Sequence, residues 1–164
     1  MRVLPLFTAL SFFLFAAADE SHVVQNPVDI DSIRNTLAQY SLSIDSKDFA
    51  GFQLVFTPDA VADYSQPIGV LHGLSNIQQT LSAALANVKS QHSLTTQHIT
   101  LLSGNIANAT TYVIASQFGV GIYDGQLLTV WAKYDDALRM DGGSWLIYDR
   151  RVTFMVRPVC SLLS

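Results

Sequence analysis

Apolar residues recur at helical spacing early in the chain. Ile33, Leu37, Tyr40 and Ile44 fall at i, i+4, i+7 and i+11, which predicts one helix with a single apolar stripe. Asp29 and Asp31 precede that stripe, where acidic side chains suit the positive end of a helix dipole. Phe49, Phe52 and Phe56 repeat at i, i+3 and i+7 and predict a second, shorter helix opened by Asp48. Thr57-Pro58-Asp59 is expected to stop it, because proline cannot continue the backbone ladder. "AVADYS" reads as a short strand. "GLSNIQQTLSAALANV" reads as a third helix, with a Ser75–Gln78 capping box and the stripe Ile77, Leu81, Leu85, Val88.

Beyond Gln91 the period changes. "SLTTQHITLL", "TTYVIASQFGVGIY", "QLLTVWAKYDDALRM" and "SWLIYDRRVTFMVR" read as four long strands. They are separated by Ser103-Gly104-Asn105, Asp124-Gly125 and Asp141-Gly142-Gly143, which are turn formers. Short turns between consecutive strands predict an antiparallel meander. Helices first and strands afterwards predict an α+β fold, with three helices on one face of a curved sheet.

Composition sharpens this picture. The chain has 164 residues, enough for one domain with a sizeable core. Arg2, the apolar run "VLPLFTALSFFLFAAA" and Ala16-Ala17-Ala18 form a signal-peptide pattern over residues 1–18. The run falls short of the ~20 residues of a membrane span and contains Pro5, so no membrane association is expected after cleavage. Residues 19–28 read as a loose polar segment, residues 29–158 as the domain and residues 159–164 as a tail. A secreted location follows as an expectation. With 49% hydrophobic and 13% charged residues, the composition suits a large apolar interior. A net charge of -4 without a basic cluster argues against a nucleic-acid partner. Cys160 is the single cysteine, so apolar packing must hold the fold without an intrachain disulfide. Asn108-Ala109-Thr110 is the one glycosylation sequon, expected at an exposed loop or strand end if used.

Candidate chemistry is sparse. Glu20 is the only glutamate and precedes the domain, so carboxylate chemistry falls to aspartate. His22, His72 and His92 read as exposed residues of the loose terminus, a turn and a polar loop. His98 lies inside a strand, where alternation groups Thr96, His98, Thr100 and Leu102 on one face. Periodicity alone leaves open whether that face is concave or solvated. On a concave face, His98 would suit proton abstraction near neutral pH. Asp45 shares a helix face with Ala38, Ser41 and Leu42. An aspartate there either bonds the next helical turn or needs a partner, and His98 is the expected one. Asp48 and Asp59 read as backbone-shaping residues. Asp63 and Tyr64 alternate across a strand, so only one faces inward. Arg150 and Arg151 read as structural, one of them paired with Asp63 or Asp149. No zinc-ligand spacing or phosphate-binding glycine loop is present in the sequence.

The order of elements resembles the nuclear-transport-factor-2-like cone. "YSLSIDSKDFAGFQLVFTPDAVADYS", "TTQHITLL" and "YDDALRMDGGSWLIYDRRV" resemble successive segments of its SnoaL-like branch, which includes scytalone dehydratase and polyketide cyclases. The resemblance spans about residues 28–158. It implies a cone around one apolar pocket and, in the catalytic members, dehydration, isomerisation or cyclisation without a cofactor. It places His98 in the pocket, with Asp45 orienting it and Tyr64 turned inward to steady an oxyanion. Phe118, Tyr123 and Trp131 are expected to contact substrate. Part of the dehydratase constellation is missing. Ile44 stands where a tyrosine would, residues 121–123 read "GIY" without a second histidine, and "VWAKY" lacks an asparagine. The expected partner is a small apolar carbonyl compound. The same cone could instead hold a ligand without turnover, or form a homodimer through its open sheet face.

Overall fold

The computed structural model describes residues 25–157 and 159–162. The expected signal peptide and His22 lie outside the described residues. Helix α1 spans Pro27–Ser46. Asn26 caps it by accepting from the Val28 N–H, and Pro27 begins it with a φ already suited to a helix. Its stripe is buried as expected, with Ile33, Leu37, Tyr40 and Ile44 at most 2% exposed. The helix ends at Lys47, which takes a left-handed φ of 63°.

The phenylalanine-rich segment forms a 3-10 turn at Phe49–Leu54, capped by the Asp48 carboxylate on the Gly51 N–H. It ends before the proline. Strand β1 already begins at Phe56 and runs through Pro58 to Asp63. A register irregularity between Phe56 and Val61 lets proline sit inside the strand without breaking a ladder bond. Strand β2 covers Val70–His72 and helix α2 covers Leu74–Ala84. The expected capping box does not form. Gly73 is the cap residue of α2, and the Gln78 amide instead donates to the Phe49 carbonyl, tying α2 to the 3-10 turn.

Four long strands follow: β3 Val88–Ser103, β4 Ile106–Gly119, β5 Gln126–Asp141 and β6 Ser144–Phe154. They pair in sequence as an antiparallel meander. Gly142 and Gly143, both at positive φ, make the tight hairpin between β5 and β6. A short β7, Val159–Leu162, pairs with the start of β5. The sheet order is β2-β1-β6-β5-β4-β3, with β1 and β6 parallel. The sheet curves around α1 and α2 without closing. Its concave face and the two helices enclose the core, where Tyr40, Phe52 and Phe56 pack with ring centroids 5.4 to 5.9 Å apart.

Candidate functional site

A cavity of about 280 Å3 opens in the concave face. Its wall is mostly aliphatic: Ile44 from α1, Leu81 and Leu85 from the α2 region, Val113 from β4, Leu128 and Val130 from β5, Val152 from β6. Five side chains bring polarity to it: Tyr40, Tyr64, His92, Gln117 and Tyr134. A mostly apolar cavity with a few convergent polar groups is the usual form of a small-molecule site.

Asp45 lies near the C-terminal end of α1 and meets β3. Its partner is His92, not His98. The Asp45 Oδ1 and the His92 Nδ1 are 2.7 Å apart, and the second carboxylate oxygen accepts from the His92 backbone N–H, also at 2.7 Å. Burial by itself pushes the Asp45 carboxyl up. The hydrogen bonds from His92 outweigh it and hold the carboxyl below its ordinary value. Two-point capture orients the imidazole. With Nδ1 donating to the carboxylate, Nε2 carries the free lone pair. The ring is nearly enclosed, at 6% exposure of its side chain.

The expectation that His92 sits in a polar loop is corrected, as is the pairing of Asp45 with His98. Strand β3 starts at Val88, so "KSQHS" belongs to it. His92 faces Ala115 and Leu94 faces Val113, both inward residues of β4. The next inward match is Gln97 with Thr111. Three steps along β3 thus oppose two along β4. This is a β-bulge at Thr95-Thr96, and it inverts the alternation. Beyond it Ile99 and Leu101 turn inward. His98 turns outward, exposed, opposite Thr110.

Tyr64 is inward, 6% exposed, with its hydroxyl 3.3 Å from that of Tyr40. Asp63, beside it, accepts from the Ser65 N–H, away from the cavity. Burial raises the Tyr64 and Tyr134 phenols well above the ordinary range and raises Tyr40 as well. Phe118, Tyr123 and Trp131, expected as substrate contacts, line no part of this cavity. Tyr123 is exposed in the one-turn helix Gly121–Tyr123. Phe118 and Trp131 follow the outward phase of β4 and β5, since the cavity takes Gln117, Val130 and Ala132. Asn108 is exposed near the start of β4.

Asp59 does not shape a turn. It lies exposed in β1 and pairs with Arg139 at 2.7 Å. Among the described residues, neither Arg150 nor Arg151 forms the expected ion pair with Asp63 or Asp149; Arg150 instead grips Asp136 through Nε and Nη2, at 2.6 and 2.8 Å. Tyr40, Tyr134 and His92 thus belong to the site without having been singled out for it by sequence. Tyr40 was legible only as one step of an apolar stripe. His92 was within reach of strand periodicity had β3 been extended backward to Val88. Among the described residues no cluster of three or more His, Cys or Asp/Glu side chains could hold a metal ion.

No curated protein matches the chain by sequence. Solved structures do match in fold. A candidate aromatic ring hydroxylase from Novosphingobium aromaticivorans shares 25% identity, with 84% of this chain and 96% of that one covered at a TM-score of 0.74. A candidate scytalone dehydratase from the same organism shares 17%, covering 84% and 89% at 0.72. A type 2 hexachlorocyclohexane dehydrochlorinase, LinA, shares 14%, covering 84% and 93% at 0.73. The family model of the SnoaL-like domain matches residues 28–151, a span that holds all but the first residue of α1, the Asp45–His92 pair and most of the cavity-forming sheet. The chain therefore belongs to the SnoaL-like domain family.

Proposed function

We propose that the cavity is the active site of a cofactor-independent acid–base enzyme of the lyase, isomerase or cyclase type, acting on a small apolar carbonyl compound. The carrying observation is the 2.7 Å Asp45–His92 pair with its imidazole on an apolar cavity wall. His92 Nε2 removes a proton alpha to the carbonyl. Asp45 holds the tautomer and stabilises the imidazolium that forms. The hydroxyl of Tyr64, supported by Tyr40, donates to the oxygen that gains charge as the enolate develops. Returning the proton elsewhere gives isomerisation. Losing a leaving group from the beta carbon gives elimination, and attack on a second carbonyl gives cyclisation. The names dehydratase and dehydrochlorinase, borne by two solved structures of this fold, denote eliminations.

The reading is tested by following deuterium incorporation at the alpha carbon of enolisable aryl ketones by proton NMR. Exchange should depend on His92, and His92→Ala should slow it by about 10²–10⁴-fold, the usual contribution of a positioned base. Equal rates for wild type and His92→Ala would remove the proposed base. Saturable ketone binding without exchange would leave the cavity as a binding site only.

Secretion is part of the same proposal, supported by Arg2, the apolar run and Ala16-Ala17-Ala18. Sequencing the N-terminus of protein recovered from the medium should start at Asp19. Retention of Met1 would argue against a cleaved leader.

A further inference from the structure

Beneath the cavity lies an ion pair that the proposed proton transfer does not use. Arg150 and Asp136 face each other across β6 and β5, with side chains 1% and 0% exposed. Asp136 engages Nε and Nη2, and Nη1 has no hydrogen-bond partner. Replacing a buried pair of this kind with well-packed apolar residues is often neutral or favourable for stability. Its location is the informative feature. The guanidinium carbon lies 4.2 Å from the Tyr40 ring centroid and 4.5 Å from that of Tyr134. Both rings line the cavity, and the Tyr40 hydroxyl meets that of Tyr64. A cation therefore stands behind the group of phenols that would meet a ligand oxygen, in surroundings with little water to screen it.

We propose that Arg150 is a positioning residue of the cavity, a fixed cation behind Tyr40 and Tyr134 that strengthens the phenol hydroxyls as donors. The cavity then prefers a ligand whose oxygen carries negative charge, a phenolate or enolate, over its neutral isostere. This rests on the proposed cavity being the ligand site, but not on His92 acting as a base. The charges around the phenols agree. Burial raises all three, Arg150 opposes that rise at each, and Asp136 adds to it at Tyr40 and Tyr134. At Tyr40 the influence of Arg150 exceeds that of Asp136, so the positive end of the pair dominates there. His92 is the other titratable group packed on Tyr40, with ring centroids 6.2 Å apart. Asp135 and Asp149 act on Asp136 from the outer face of β5 and β6.

The test uses 4-nitrophenol, whose ionised form is read by its visible absorbance, and nitrobenzene as the neutral isostere. In wild type, bound 4-nitrophenol should be more ionised than the free compound at the same pH, and should bind more tightly than nitrobenzene. Tighter binding of nitrobenzene, or uptake of the neutral phenol, overturns the proposal in the wild-type protein alone. The double variant Arg150→Met/Asp136→Leu should lower the phenolate preference about tenfold, equivalent to one pKa unit, while nitrobenzene binding persists. Asp136→Asn keeps the cation without its counter-charge and should raise the preference. It gives an opposite-signed readout that a merely structural role does not supply, and it serves alone if the double variant does not fold. An unchanged preference in the folded double variant, or a fall in Asp136→Asn, overturns the proposal. His92→Ala should retain the preference, and its loss there would assign the preference to the imidazole instead. Absent ketone exchange alongside an Arg150-dependent phenolate preference would defeat the enzymatic reading only. The converse would defeat this one only.

Discussion

His92 and His98 lie on the same strand, both at even positions, and meet opposite fates. His92 is enclosed, captured at two points by Asp45, and faces the cavity. His98 is exposed on the outer face opposite Thr110. Simple alternation would place the two on one side. The extra residue at Thr95-Thr96 separates them. Whether a strand histidine faces the cavity or the surface here depends on one residue of register, not on its immediate neighbours.

The most drastic way to break the contrast is to remove the proposed base. His92→Ala should suppress alpha-proton exchange by the orders of magnitude given above, whereas His98→Ala should leave the rate within about twofold, as for a surface change away from the chemistry. Comparable losses in both variants would mean that the outer face contributes to the reaction.

Deleting Thr95 tests the register itself. It should restore unbroken alternation and force a choice between keeping His92 inward and keeping Ile99 and Leu101 inward. Exposing Leu101, now buried, should cost about 1.5–3 kcal/mol, measured by denaturant unfolding. The His92 ring resonances in NMR would show which side gives way. Wild-type stability with the His92–Asp45 contact retained would mean that the bulge is dispensable.

A smaller effect concerns pH. The folded Asp45 carboxyl sits below its ordinary value of 3.8, so its unfolded form binds the proton more readily. Its contribution to stability is present above about pH 3.8 and is lost as pH falls through the lower folded value. Acid unfolding curves of wild type and Asp45→Asn should therefore differ above that value and converge below it. Parallel curves throughout would show that Asp45 gains no net stabilisation from His92.

Much of the architecture was legible because it rests on periodicity and local chemistry. Ile33, Leu37, Tyr40 and Ile44 mark a buried helix face, and the glycine-bearing turns set the meander. Asp48 as a cap was readable from local pattern, and Tyr64 as the inward member of its pair followed from the family resemblance. The start of β3 was not, because Lys89, Ser90, Gln91 and His92 look like a polar loop when their partner strand is unknown. Nor was the 3-10 turn in place of a second helix, because β1 takes Phe56 for the sheet before the proline can end anything.

The candidate site divides the same way. The sequence by itself offered an aspartate near the end of the first helix, a tyrosine alternating with Asp63 and a few histidines as the groups available for acid–base chemistry, since side-chain chemistry and helix spacing are local properties. Only the tertiary structure decided which histidine, which tyrosines and which arginine. Those choices depend on the bulge at Thr95-Thr96, on Asp45 reaching β3 across the interior, and on β5 and β6 placing Arg150 against Asp136 beneath the rings. Each is a contact between residues far apart in the chain, formed by strand register and packing that no short stretch of sequence contains.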